Sequence, residues 1–325
     1  MKTLTKRVIA EKDVSFKIIE PFITAQKINV DSFYTNNKPI APPCFLGAYY
    51  RKCFSSKEDW LGIEGVVRLG EFIPDERRFQ SDGRVDYERY LDNPSIYLGG
   101  KSLTESDAGL NFNVGHESIQ DIKMLNYGSK KVAYRPFYRY IYSEVIDDNG
   151  NVTRINKNIW KVASPLDFDY YYFPGDVVKM SVYSPLENYL QLRIEVLEET
   201  KIEKYQKKRK KYQLKGKPKV YYSPLFYSEG HSKLEAEFKR VNSLDQYGNE
   251  GFIVKPTKAL VSESVWKEVF LFKKINESIV KIPFSRGRYA SMICPNDESF
   301  TIKEFNKDEG GEKITIHPQY RGGNK

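Results

Sequence analysis

Residues 169–197 read DYYYFPGDVVKMSVYSPLENYLQLRIEVL, and their pattern decides the fold class. Val178, Met180 and Val182 alternate with Lys179, Ser181 and Tyr183. After a break, Leu190, Leu192, Ile194 and Val196 alternate with Gln191, Arg193 and Glu195. Strand side chains repeat every two residues, so each run predicts a strand with one apolar and one polar face. Pro174-Gly175-Asp176 leads into the first run, and residues 184–188, SPLEN, supply turn chemistry between the two. The stretch is therefore a β-hairpin whose aliphatic side needs a core.

Outward from the hairpin, the same pattern recurs. CFLGAYYRKCF and WLGIEGVVRLGEF in residues 44–72 are strand-like with internal glycines. SIYLG, ESDAGLNFN and the aromatic run at 132–145 follow. The last of these ends in Asp147-Asp148-Asn149-Gly150, a strong hairpin signal. Beyond residue 220 come VYYSPLFYS, EFKRVNSL, FIVKPTKAL, VWKEVFLFKK, IPFSRGRYASMIC, FTIKEF and KITIH. More than a dozen short strands at this spacing predict an all-β sandwich or barrel. Two short strand-like pieces precede them, near 14–19 and 22–30. The expected layout is an N-terminal arm (1–43) packed on one sandwich (44–318) with a basic insertion at 200–219, then a disordered tail (319–325). Residues 74–94, rich in charge, Gly and Pro, read as a surface loop.

The chain has 325 residues, a net charge of +9 and 14% aromatics. That charge belongs to one place. Residues 201–219 hold ten basic side chains and one acid, a surplus equal to the whole, so a nucleic-acid-binding fold is not indicated. Lys207, Lys208, Arg209, Lys210 and Lys211 are the candidate polyanion-binding residues. A capping box at Thr200 and Glu203 allows a short helix, but the apolar stripe is poor and like charges repel at i, i+4. A solvated excursion between strands is expected. No apolar run is long enough to span a membrane or to form a signal peptide, so the chain reads as cytoplasmic, processed or exported by another route. Cys44, Cys53 and Cys294 read as buried thiols, with a Cys44–Cys53 bridge as the alternative. The three tryptophans read as core or edge packing. Trp266, in register with Glu268, is placed toward solvent.

Several segments together resemble the concanavalin A-like lectin/glucanase superfamily, in its laminin-G-type and bacterial β-sandwich branches. They are IYLGG (96–100), ESDAGLNF (105–112), YYYFPGDVVKMSV (170–182), VWKEVFLFKK (265–274) and KITIH (313–317). The resemblance implies a jelly-roll sandwich and says less of activity. Glucanases of this type place Glu-x-Asp-x-Glu on one strand. Here the run is Glu105-Ser106-Asp107-Ala108-Gly109, with glycine where the second glutamate belongs. Retaining hydrolysis needs two carboxyl groups about 5 Å apart, so that machinery is incomplete. Calcium, which the superfamily often binds through loop oxygens, has suitable atoms at 147–151, a stretch that a hairpin turn also explains. No cofactor is otherwise indicated, because His116, His231 and His317 are scattered and no nucleophile elbow or phosphate loop is present.

The expectation for function is a non-catalytic carbohydrate- or surface-polymer-binding protein, with a polysaccharide or cell-surface glycan as partner. Its ligand face would combine Glu105, Asp107, Asn111 and Tyr138 with Gln191, Arg193 and Glu195. The alternatives are a polysaccharide hydrolase or lyase using carboxylates on a concave sheet face, and an assembly protein with no small ligand.

Overall fold

The computed structural model describes residues 16–28, 39–75, 91–112, 133–148, 151–163, 167–212, 220–285 and 287–318. The side chains of 143–155, 212 and 247 lie outside that description. In chain order, helix α1 (Phe16–Ile23) precedes β1 (Gln26–Lys27), β2 (Ala48–Ser55), β3 (Trp60–Arg68) and β4 (Phe72–Ile73). Next come β5 (Asp92–Lys101), β6 (Glu105–Asn111), β7 (Arg135–Asp148) and β8 (Asn151–Val162). The hairpin is β9 (Val177–Leu186) and β10 (Tyr189–Glu198), followed by helix α2 (Glu203–Tyr212), β11 (Tyr221–Tyr222) and β12 (Phe226–Tyr227). Then follow β13 (Glu237–Gln246), β14 (Leu260–Ile275), β15 (Ser278–Pro283), β16 (Tyr289–Cys294), β17 (Phe300–Asn306) and β18 (Gly311–Ile316).

These strands form two sheets, and the fold is an all-β sandwich. One sheet has eleven strands, with the path β1-β15-β14-β3-β9-β10-β11 and β4, β12, β17 and β18 attached beside it. The other has seven, ordered β16-β2-β13-β5-β6-β7-β8, and every pair in it is antiparallel. The hairpin behaves as its alternation predicts. Val178, Met180, Val182, Leu190, Leu192 and Ile194 are fully buried and pack with Ile96, Leu98, Ala108 and Leu110 of the opposing sheet. Each such aliphatic stabilises the fold by about 1.5–3 kcal/mol. Asn188 closes the turn with φ 65°, a left-handed conformation that asparagine tolerates.

Four expectations need correction. Residues 16–23 are helical where strand-like pieces were expected. Ile19 and Phe22 sit three apart on one helical face and pack on Tyr183 and Phe272 of the eleven-stranded sheet. Phe22 stacks on Tyr183 at 4.7 Å. Trp266 is fully buried, because the pairing of β14 with β3 shifts between Trp266 and Glu268. That bulge adds one residue and sends the two side chains to opposite faces. Its indole Nε1 donates to Asn242 Oδ1 at 2.6 Å.

Cys44 and Cys294 are joined by a disulfide across 250 positions, a pairing that local spacing cannot suggest. Only Cys53 is the buried thiol that was expected. The basic segment, finally, is no solvated excursion over 203–212: it is helix α2, held by Arg209, whose guanidinium meets Asp176 at 2.5–2.6 Å. Asp176 also accepts from the backbone N–H groups of Phe173 and Thr200 at 2.8 and 2.7 Å. A buried ion pair and Tyr205 thus supply what the weak apolar stripe lacks. The loop expected at 74–94 lies outside the described residues over 76–90, as do the tail from 319 and the side chains at 147–151.

Candidate functional site

Strand β6 turns Ser106, Ala108 and Leu110 inward and Glu105, Asp107, Gly109 and Asn111 outward, as period two requires. Cross-strand register then aligns its outward residues with those of its neighbours. Lys239, Gly99, Asp107, Arg139 and Trp160 form one row across the seven-stranded sheet. Two residues along come Val241, Tyr97, Gly109, Phe137 and Val162. Ser243, Ser95, Asn111 and Arg135 follow, and Asp245 stands beside Asn93 in the next row.

One end of this face is a closed charge cluster. Arg139 donates to Asp107 Oδ2 through Nε at 2.8 Å and Nη2 at 2.5 Å. Lys239 pairs with Asp107 Oδ1 at 2.6 Å and also with Glu105. Burial pushes the Asp107 carboxyl upward, but Arg139 and Lys239 outweigh it and hold the group well below the usual range. Gly99 makes the arrangement fit. A Cβ there would stand 2.8 Å from Lys239 Cε and 3.0 Å from Asp107 Oδ1, and 2.4 Å from the Ser106 carbonyl.

The other end holds a carboxyl of opposite character. Asp245 Oδ2 accepts from Ser95 Oγ at 2.6 Å and from Ser243 Oγ at 2.8 Å. Asn111 Nδ2 in turn donates to Ser95 Oγ at 2.6 Å. Burial pushes Asp245 up to about 6; the two hydroxyls oppose the shift, and the nearby Glu250 and Asp107 charges add to it. Glu250 is raised as well, first by burial and then by Asp107, against the pull of Arg139. Its turn sits close because Gly47, at φ 97°, has no Cβ. One there would lie 2.6 Å from the Asn249 carbonyl and 2.7 Å from Glu250 Cα. Between the two ends runs an aromatic row. Tyr97 meets Phe137 edge-on at 5.8 Å, and Phe137 stacks on Trp160 at 4.6 Å. Trp160 is 37% exposed.

The seven residues expected to make one ligand face fall in three places. Glu105, Asp107 and Asn111 come together here. Tyr138, next to Arg139, faces the core and stacks on Phe226 at 5.0 Å. Gln191, Arg193 and Glu195 lie on the outer face of the eleven-stranded sheet, because the apolar sides of β6 and β10 face each other across the core. Their polar atoms are engaged there. Gln191 accepts from Tyr183 Oη and donates to the Ser223 carbonyl, each at 3.0 Å. Arg193 donates to Tyr222 Oη at 3.0 Å and pairs with Glu195 at 2.9 Å. Of the polyanion candidates, Lys207, Lys210 and Lys211 are exposed. Lys208 lies over the Tyr205 ring, and Arg209 is buried on Asp176. Among the described residues no group of three His, Cys, Asp or Glu is placed to hold a metal ion.

Sequence reasoning missed Asp245, Ser243, Lys239, Ser95 and Tyr97. The signal was present in EFKRVNSLDQ, where Glu237, Lys239, Val241, Ser243 and Asp245 share one face at period two. Glu250 carries no such signal, since a turn brings it in.

No family model matches the chain, and no curated protein sequence is similar to it. Solved structures with a similar fold include scytalido-glutamic peptidase bound to a peptide-based transition state analog, at 6% identity and a TM-score of 0.43. The match covers 83% of this chain and 98% of that one. A second structure of that peptidase, with a transition state analog inhibitor, matches at 8% identity, the same coverage and the same TM-score. SCP-B, a member of the eqolisin family of peptidases in a complex with the tripeptide Ala-Ile-His, matches at 8% identity and 0.39. That match covers 84% of this chain and 98% of the other. These likenesses concern the β-sandwich. The expectation of a non-catalytic carbohydrate-binding protein is corrected: the similar structures named above are peptidases, and the expected ligand face is divided between the two sheets.

Proposed function

We propose that the outer face of the seven-stranded sheet is a hydrolytic site operated by the carboxyl groups of Asp245 and Glu250. One observation carries the reading: Asp245, clasped by Ser95 and Ser243, shares a face with an Asp107 that Arg139 and Lys239 keep ionised. The ionised Asp107 adds to burial in raising both Asp245 and Glu250, which brings these two carboxyl groups toward the pH range in which they exchange protons with a substrate. At mildly acidic pH, Asp245 holds a proton to donate to a leaving nitrogen or oxygen. Glu250 takes a proton from the attacking water, whose hydroxyl adds to the substrate carbonyl carbon as the bond to the leaving atom breaks. The part-exposed Trp160 ring, stacked on the buried Phe137, supplies an apolar surface for the substrate on the same face.

Dye-labelled casein and a p-nitrophenyl ester, assayed between pH 3.5 and 8, test this reading. Activity is expected to decline above about pH 6, as Asp245 loses its proton. Asp245→Asn is expected to lower the rate on the order of 10²-fold or more, as loss of a general acid does. No turnover of either substrate at any pH, or an undiminished rate in Asp245→Asn, overturns the proposal.

A further inference from the structure

Helix α2 is the most strongly charged surface element among the described residues, and the acid–base site makes no use of it. Its inward positions are Tyr205 and Arg209, one turn apart. Tyr205 packs on Phe173 and donates to Glu71 at 3.0 Å, while Arg209 is locked on the buried Asp176. The outward positions include Lys207, Lys210 and Lys211, with Lys204 at the edge, paired with Glu71. The lysine side chains at 204 and 207 remain 56% and 74% exposed. Glu203 is the helix's one acid, and it pairs with Lys207 at 2.6 Å.

An isolated ten-residue helix of this composition would not persist, since like charges at i, i+4 destabilise it and short helices are marginal in water. The buried ion pair holds it nevertheless, so the fold maintains a row of lysines in a fixed plane.

We infer that the outward face of α2 is a docking surface for an anionic phospholipid bilayer. Charge complementarity carries this: α2 itself holds six basic side chains and one acid, and Lys207, Lys210 and Lys211 are exposed on it. A lipid surface needs only an array of cations at its plane, each worth about 1 kcal/mol. The chemistry of the face favours lipid over nucleic acid. Its cations are lysines, compact point charges without the planar fork that reads bases and phosphates bidentately. The Tyr205 ring, which could stack on a base, is turned inward. Ile202, immediately before the helix, is 38% exposed and adds a shallow apolar contact.

Sedimentation of the full chain with phosphatidylcholine vesicles, with and without about a third phosphatidylglycerol, tests the inference. Heparin and duplex DNA serve as the other polyanions. Binding is expected to the anionic vesicles only, and to fall as salt rises from 0.05 to 1 M, where the screening length shrinks to about 3 Å. The triple variant Lys207→Gln, Lys210→Gln, Lys211→Gln is expected to bind about 100-fold more weakly, the loss of three cations at that magnitude. The corresponding triple arginine variant retains binding. Because the three side chains are exposed, all variants should keep the thermal midpoint of the parent. Equal binding to neutral vesicles, retention of heparin or DNA without vesicles, or an unaffected glutamine variant would each overturn the assignment.

Discussion

Asp245 and Asp107 carry the same side chain on the same sheet face and are driven in opposite directions. Asp107 has two cations in contact; Asp245 has two hydroxyls, and other carboxylates within electrostatic reach. The difference has a thermodynamic consequence for Asp245. A carboxyl raised on folding binds its proton more tightly in the folded state. Its contribution is therefore complete below the unfolded value near 4 and is lost as pH rises through about 6. Asp245→Asn keeps an oxygen to accept from both serines and removes the charge. We expect it to stabilise the protein by about 2 kcal/mol at pH 8, after discounting for partial exposure, and to change nothing at pH 3.5. Urea denaturation at the two pH values measures this, and equal effects at both would refute it. Glu105, Asp107 and Asn111 were legible from alternation alone. Trp266 was not, because one extra residue in β14 reversed the parity on which its placement rested.

At the scale of the element, the hairpin β9–β10 was fully legible, since both strands alternate and the turn chemistry is strong. Helices α1 and α2 were not. Each is short and takes its form from what it lies against: the apolar α1 from Tyr183 and Phe272, and α2, with few apolar residues, from Asp176 and Phe173. The segment ahead of β2 is fastened differently, by the disulfide from Cys44 to Cys294 at the end of β16. Closing so long a loop gives a chain-entropy stabilisation of about 5 kcal/mol as an upper bound, and measured values are commonly 2–4. Cys44→Ser is therefore expected to lower the thermal midpoint by several degrees, and dithiothreitol to produce the same shift in the parent. A parent midpoint indifferent to reductant would show that the bridge contributes nothing.

At the scale of the whole molecule, the two sheets are joined by more than apolar packing. Arg51 of β2 and Arg240 of β13 converge on Glu312 of β18, so a buried three-charge cluster crosses between the sheets. Arg51 Nη2 donates at 2.7 Å and Arg240 Nη2 at 2.8 Å, while the Arg240 guanidinium also faces the Trp266 ring at 5.7 Å. Burial pushes Glu312 upward, but the two arginines hold it below the usual range. Glu312→Gln leaves two buried cations uncompensated and is expected to cost about 3–5 kcal/mol. Replacing all three residues by apolar ones of similar volume should cost less. Equilibrium unfolding of both variants decides the point, and a loss below about 1 kcal/mol for Glu312→Gln would show the cluster to be incidental.

The sequence by itself determined that the chain is all-β, which residues of the hairpin are buried, and that the net charge resides in one segment. These follow from local periodicity and composition, which need no knowledge of neighbours. Only the tertiary structure decided which polar faces meet. Strands β6 and β10 turn their apolar sides toward each other across the core, so Gln191, Arg193 and Glu195 were carried to the opposite surface from Glu105, Asp107 and Asn111. Long-range pairing of β13 with β5 likewise set Lys239 and Asp245 on one face with Ser95, about 150 positions away in the chain. Period two reports the side on which a residue lies within its own strand. Which strands become neighbours is settled by long-range pairing and core packing, and that is where this candidate site was made.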